Sequence, residues 1–90
     1  MDFDWDFSNL EHIARHKVEQ AEAEEALTDP AALDAAAHRG PLGQPRFGVI
    51  GATEEGRVLV VYHELREEKI RVVTVRPATP EERALYHTEE

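Results

Sequence analysis

The chain contains no cysteine, which excludes a disulfide framework and any thiolate metal site. No apolar run approaches the ~20 residues of a membrane span. The longest, Val58-Leu59-Val60-Val61-Tyr62, is the size of a strand. The opening Met1-Asp2-Phe3-Asp4 is acidic and lacks the basic head and apolar stretch of a signal peptide, so a cytoplasmic protein is expected. A P-loop, G-x-G-x-x-G, G-x-S-x-G and H-E-x-x-H are all missing. Positive charge is scarce too. Ten Lys and Arg face nineteen Asp and Glu, and the net charge of −9 argues against strong non-specific attraction to nucleic acid.

What is present fits one folded unit. Ninety residues bound the chain to a single domain over 1–90 with one core. The acidity is uneven. Residues 1–30 carry Asp2, Asp4, Asp6, Glu11, Glu19, Glu22, Glu24, Glu25 and Asp29 against only Arg15 and Lys17. Between 35 and 76 the bases Arg39, Arg46, Arg57, Arg66, Lys69, Arg71 and Arg76 outnumber Glu54, Glu55, Glu64, Glu67 and Glu68. A local basic face is therefore compatible with an acidic whole.

Phe3, Trp5 and Phe7 alternate with Asp4 and Asp6, a period of two that reads as an extended segment laid over the core. Ser8-Asn9-Leu10-Glu11 has the capping-box form and predicts a helix start, with Leu10, Ile13 and Ala14 as its apolar stripe and the Lys17 stem extending it. Val18 to Thr28 reads as a second helix with a narrow face of Ala23, Ala26 and Leu27. Asp29-Pro30 ends it, because the residue before proline is pushed out of the helical region. Residues 31–38 fit a strand or a helical turn, and 39–45 a loop. Strands follow over 46–53, 57–65 and 70–76, with turns short enough to imply antiparallel hairpins. Val58–Tyr62 is apolar on both faces, so it sits centrally with cover on each side. The helices supply one cover, and a partner protein or a second copy of the chain is the expected other. Thr79-Pro80-Glu81-Glu82 starts a closing helix, with Thr79 as cap and Glu82 completing the box.

His12 and His16 stand i, i+4, a spacing that can hold zinc, but Ile13 stands where a metalloprotease has Glu. They read as a solvent-facing or packing pair, and no metal or cofactor is expected. Arg46, Arg71 and Arg76 fall on three predicted strand ends, with Arg57, Arg83, His63 and Tyr86 in the same half. Guanidinium groups converging from a sheet grip phosphate bidentately, and a neighbouring histidine can move a proton. The plainer reading pairs these arginines with the acids as solvated surface. Arg71 and Arg76 are five positions apart. On a regular strand they leave opposite faces, so both serve one phosphate only if the strand twists or bulges between them; otherwise one is structural, with Arg76 the expected phosphate clamp and Arg71 pairing with an acid to brace the hairpin.

In order along the chain, the motifs resemble the BrnT-type toxin family. They are Phe3-x-Trp5-Asp6; Asn9-x-x-His12-Ile13-Ala14-Arg15-His16-x-Val18; Ala23; Asp29-Pro30; Arg46; Gly51; Gly56-Arg57-Val58-Leu59-Val60-Val61-Tyr62; Ile70-Arg71-Val72-Val73-Thr74-Val75-Arg76-x-Ala78; and Glu82-Arg83 with Tyr86. The resemblance implies an α+β fold similar to RelE-like microbial ribonucleases: N-terminal helices, a three- to four-stranded antiparallel sheet and a C-terminal helix. It implies a bacterial type II toxin–antitoxin ribonuclease that cleaves RNA without metal, and a cognate ribbon-helix-helix antitoxin. Carried over by motif, His16, Arg46, Arg71 and Arg76 are the catalytic set, and Thr74, Arg83 and Tyr86 bind RNA. Lys17 departs from the family by replacing a helix-ending Gly, and Gln20 and Leu27 by replacing common aromatics. The acidic charge leaves a second function class open: a degenerate, non-catalytic protein-interaction module.

Overall fold

The computed structural model describes residues 2–88, apart from the side chain of Ala37. Three helices and four strands follow one another as α1 (Phe7–Ala14), α2 (Gln20–Leu27), β1 (Leu33–Arg39), β2 (Pro45–Ala52), β3 (Val58–Arg66), β4 (Lys69–Pro77) and α3 (Pro80–Thr88). The strands form an antiparallel meander in the order β1-β2-β3-β4. The ambiguous stretch over 31–38 is therefore mostly strand, paired to β2 through Leu33, Asp34 and Ala35.

Phe3 makes a parallel bridge to Ile70, with Asp4 N donating to Ile70 O (2.8 Å) and Ile70 N to Asp2 O (2.9 Å). Trp5 packs on the core, and its indole N–H donates to Glu24 (2.7 Å). Phe7 breaks the period-two reading: it opens α1 and is 80% exposed. The helix starts two residues earlier than Ser8 predicts. Asp6 accepts from Asn9 N (3.1 Å), and Asn9 Oδ1 accepts from Asp6 N (2.7 Å), so Asp6 and Asn9 satisfy each other's orphan amides. The buried positions are Asn9 and Ile13, while Leu10 is half-buried and Ala14 and Lys17 are exposed. Asn9 tolerates burial because its Nδ2 donates to the carbonyls of Asp4 (3.1 Å) and Val72 (3.3 Å).

The helices break at the expected place. Lys17 has φ of 59°, left-handed, and Val18 N donates back to Ile13 O (3.2 Å). Val18 is buried but precedes α2, which is shorter than the sequence predicts. Ala23 and Ala26 form the buried face of α2. Their small size lets the helix lie directly on β2, where a β-carbon at Gly51 would collide with the Ala26 carbonyl.

Both faces of β3 are buried, as the apolar run requires. On one face Leu59, Val61, Val72 and Val75 pack with Ile13, Val18, Ala23 and Ala26. On the other, Val58 and Val60 pack with Ile50, Ala78 and Tyr86. The second cover, expected from a partner or second copy, is thus α3 of the same chain around Val58 and Val60. Burying each of these valines contributes roughly 1.5–3 kcal/mol before entropic costs. Thr79 caps α3 as predicted: Glu82 N donates to Thr79 Oγ1 (3.2 Å) and Thr79 N to Glu82 Oε1 (2.9 Å). The Tyr86 hydroxyl donates to Asp29 (2.5 Å), tying α3 to the end of α2.

Candidate functional site

α3 closes only one end of its sheet face, and the other end is a groove. Register decides which side chains reach it. Arg76 pairs with Val60, Thr74 with Tyr62, and Arg71 with Glu64. Tyr62 and His63 are consecutive on β3, but their partners on β4 are Thr74 and Val72, so Val73 is an extra residue. This β-bulge restores Arg71 to the face that carries Arg76. Across β3, Gly48 faces Tyr62, and Arg46 lies two residues further along the same face, paired to His38 of β1. Arginines from β2 and β4 thus share one side of the sheet with Tyr62, Thr74 and Glu64.

The groove is lined by Ser8, Asn9, His12, Gln44, Arg46, Glu64, Arg66, Arg71, Val72 and Val73. Each predicted strand arginine has a carboxylate partner. Arg46 Nε bonds Glu64 Oε2 (2.7 Å), Arg71 lies 2.9 Å from Asp6 and 3.7 Å from Asp4, and Arg76 grips Glu82 with two nitrogens (2.6 and 2.9 Å). These pairs set the titration behaviour. The Arg46 hydrogen bond holds the Glu64 carboxyl below its usual range, against the opposing effect of burial. The Arg76 hydrogen bond pulls Glu82 down to about 2. Asp6 is lowered chiefly by the Asn9 amide and then by Arg71. Among the described residues Arg66 makes no close ion pair, although its charge also helps to lower the Glu64 carboxyl.

The histidines separate by position. His12 lines the groove, with Nε2 3.1 Å from Thr74 Oγ1. His16 lies on the exposed turn after α1, its ring 6.2 Å from that of His12. His63 belongs to the opposite face, beside Phe47, where burial lowers its pKa. Arg57 is also remote, bonded to Lys17 O (2.8 Å) and Glu22. Arg83 is exposed on α3, and Tyr86 is buried against Asp29. Glu64, Arg66, Gln44 and His12 are groove residues that the sequence reading did not assign there. The period of two from Tyr62 to Glu64 to Arg66 is the signal that places the β3 members.

Among the described residues no three His, Asp or Glu side chains form a metal-binding group, and no helix is long and apolar enough to cross a membrane. The fold and groove define an α+β protein with an arginine-lined sheet face. The chain belongs to the BrnT family, ribonuclease toxins of type II toxin–antitoxin systems, whose sequence model matches residues 5–82. Comparison with curated proteins finds no match.

Proposed function

We propose that the chain is an endoribonuclease toxin that binds RNA along the open sheet face and cleaves it without a metal ion. The observation that carries this reading is the convergence of Arg46, Arg66 and Arg71 on one groove, in a chain of a ribonuclease-toxin family. Guanidinium groups there would bind a backbone phosphate and stabilise the charge of its transition state. Arg76 extends the cationic strip along β4, with Thr74 between it and the bulge. His12 stands in the groove to move a proton, and His16, one turn along, flanks it. Arg83 on exposed α3 would meet RNA beyond the groove. Tyr86 would act through the placement of α3.

Neutralisation by a cognate antitoxin completes the reading. That partner would carry a ribbon-helix-helix DNA-binding domain, and RelE-like toxins are the expected structural kin. A homodimer is a further possible assembly. The competing reading, a non-catalytic interaction module, is favoured by one observation: Arg46, Arg71 and Arg76 are all held by internal carboxylates. Labelled RNA incubated with the protein in excess chelator separates the two. Cleavage, together with growth arrest on expression without the antitoxin, supports the toxin. Intact RNA and unimpaired growth support the module.

A further inference from the structure

The three strong carboxylate–arginine pairs on this face are not equivalent. Glu82 uses both oxygens: Oε1 accepts from Arg76 and Thr79 N, and Oε2 accepts from Arg76. Asp6 also uses both, one on the Asn9 amide and one on Arg71. Glu64 differs. Gln44 Nε2 (3.1 Å) and Arg46 Nε (2.7 Å) both donate to Oε2. Oε1 accepts no hydrogen bond among the described residues. The side chain is only 13% exposed, yet it lines the groove, where it is the single carboxylate among the described residues. One oxygen takes both donors and the other takes none among the described residues, on a side chain that lines a groove of arginines. A structural ion pair has no need of that asymmetry, whereas a proton acceptor does.

We propose that Glu64 is the general base of RNA cleavage, with Arg46 and Gln44 as its positioning residues. The assignment rests on the ribonuclease reading above. Glu64 Oε1 takes the proton of the ribose 2′-hydroxyl as the O2′ electron pair forms a bond to the adjacent phosphorus. The bond from phosphorus to the 5′-oxygen breaks, and that oxygen takes a proton from protonated His12. The products are a 2′,3′-cyclic phosphate and a 5′-hydroxyl. Solvent then takes the proton from Glu64 and returns one to His12. The groups facing Glu64 are Arg46 from β2, Gln44 from the β1–β2 turn, Arg66 from its own strand, Arg71 from β4 and His12 from α1. Four of these are cationic or can become so. They keep the carboxylate ionised and ready to accept, and they stabilise the phosphorane charge as it develops.

The test is Glu64→Gln, which keeps the shape and an oxygen for Arg46, with Glu64→Asp beside it. Single-turnover cleavage is measured against pH in chelator, and affinity is measured with a 2′-O-methyl RNA that cannot react. The expected result is a loss of at least about 100-fold in rate for Glu64→Gln with affinity unchanged or tighter. The acidic limb of the pH–rate profile should vanish in Glu64→Gln. In Glu64→Asp it should survive at a reduced rate, which also guards against a folding defect confined to the amide. Wild-type cleavage matched within about threefold by Glu64→Gln, with the acidic limb intact, overturns the assignment alone. Affinity falling in step with rate also overturns it, since that is the mark of a structural or binding role. Wild-type protein that leaves RNA intact overturns the ribonuclease reading, and this assignment with it.

Discussion

Arg71 and Arg76 lie five positions apart on β4 yet on the same face of the sheet, because the bulge at Val73 absorbs one residue between them. The carbonyl of Val72, beside the bulge, accepts from buried Asn9 of α1. The first helix therefore braces the irregularity that gathers the arginines. Arg46 reaches the groove from β2, and Arg66 joins it from the end of β3. Sequence order alone spreads these four residues over thirty positions; the meander and one bulge bring them to one side.

The carboxylates on this face compete with any incoming phosphate. Asp6 is the simplest to remove, because asparagine also caps a helix well. Asp6→Asn should keep α1 while freeing Arg71 of its closest partner. RNA affinity at moderate salt should rise about two- to fivefold, as expected for losing one exposed competing charge. Fluorescence anisotropy with a non-cleavable RNA measures this, and unchanged or weaker binding would show that Arg71 does not meet the phosphate.

Lys17 adopts a left-handed backbone, a conformation that glycine enters without a β-carbon penalty. Lys17→Gly should raise stability by about 0.5–1 kcal/mol, since relief of strain outweighs the added freedom of the unfolded chain. Urea denaturation measures it, and a destabilised variant would show that the lysine stem contributes more than its backbone costs.

Tyr86 joins α3 to Asp29, whose other donors include Ala52 N (2.8 Å) and Ala31 N (2.9 Å). Tyr86→Phe should cost about 1–2 kcal/mol by removing a hydrogen bond to a charged acceptor. RNA affinity of the folded variant should stay at the wild-type level, because the hydroxyl faces Asp29 rather than the groove. A large loss of affinity without loss of stability would place Tyr86 at the RNA instead.

Much of this architecture is legible in the sequence. The three hairpin strands, the Asp29-Pro30 stop and the Thr79–Glu82 box follow from period and capping chemistry that neighbouring residues determine. The departures have physical causes. Asp6 outcompetes Ser8 as cap because Asn9 returns the bond from the third helical position. Asn9 turns inward because its side chain donates to the Asp4 and Val72 carbonyls, and His12 lies on the groove with His16 beyond it. The bulge is legible only as one of two alternatives, the other being a structural Arg71, because the contact beside it comes from a buried helix side chain sixty-three positions away. Ninety residues rarely supply two full layers, so the sequence points outside the chain for the cover over Val58 and Val60, yet Ala78 and Tyr86 suffice there.

Glu82 links pH to stability. Its folded pKa, about 2, lies below its ordinary value of 4.5, mainly through Arg76. The ionised form is thus preferred in the folded state. The stabilisation is complete above the ordinary value and is lost as pH falls from about 4.5 toward about 2. Glu82→Gln should lower stability by about 1–3 kcal/mol at neutral pH and narrow that difference on acidification. Thermal melts of both proteins from pH 7 to pH 2.5 measure the convergence, and parallel curves would contradict the linkage.

The account rests on the open sheet face being the RNA-facing surface, and backbone amide shift mapping with a 2′-O-methyl RNA tests that directly. The predicted result is that perturbations concentrate at His12, at Gln44 and 45–48 of β2, at 62–66 of β3 and at 70–76 of β4, weaken with added salt, and shrink in an Arg46→Ala, Arg71→Ala double variant that still folds. Perturbations confined to the acidic α2 side, or a spectrum that RNA leaves unchanged at low salt, would contradict it.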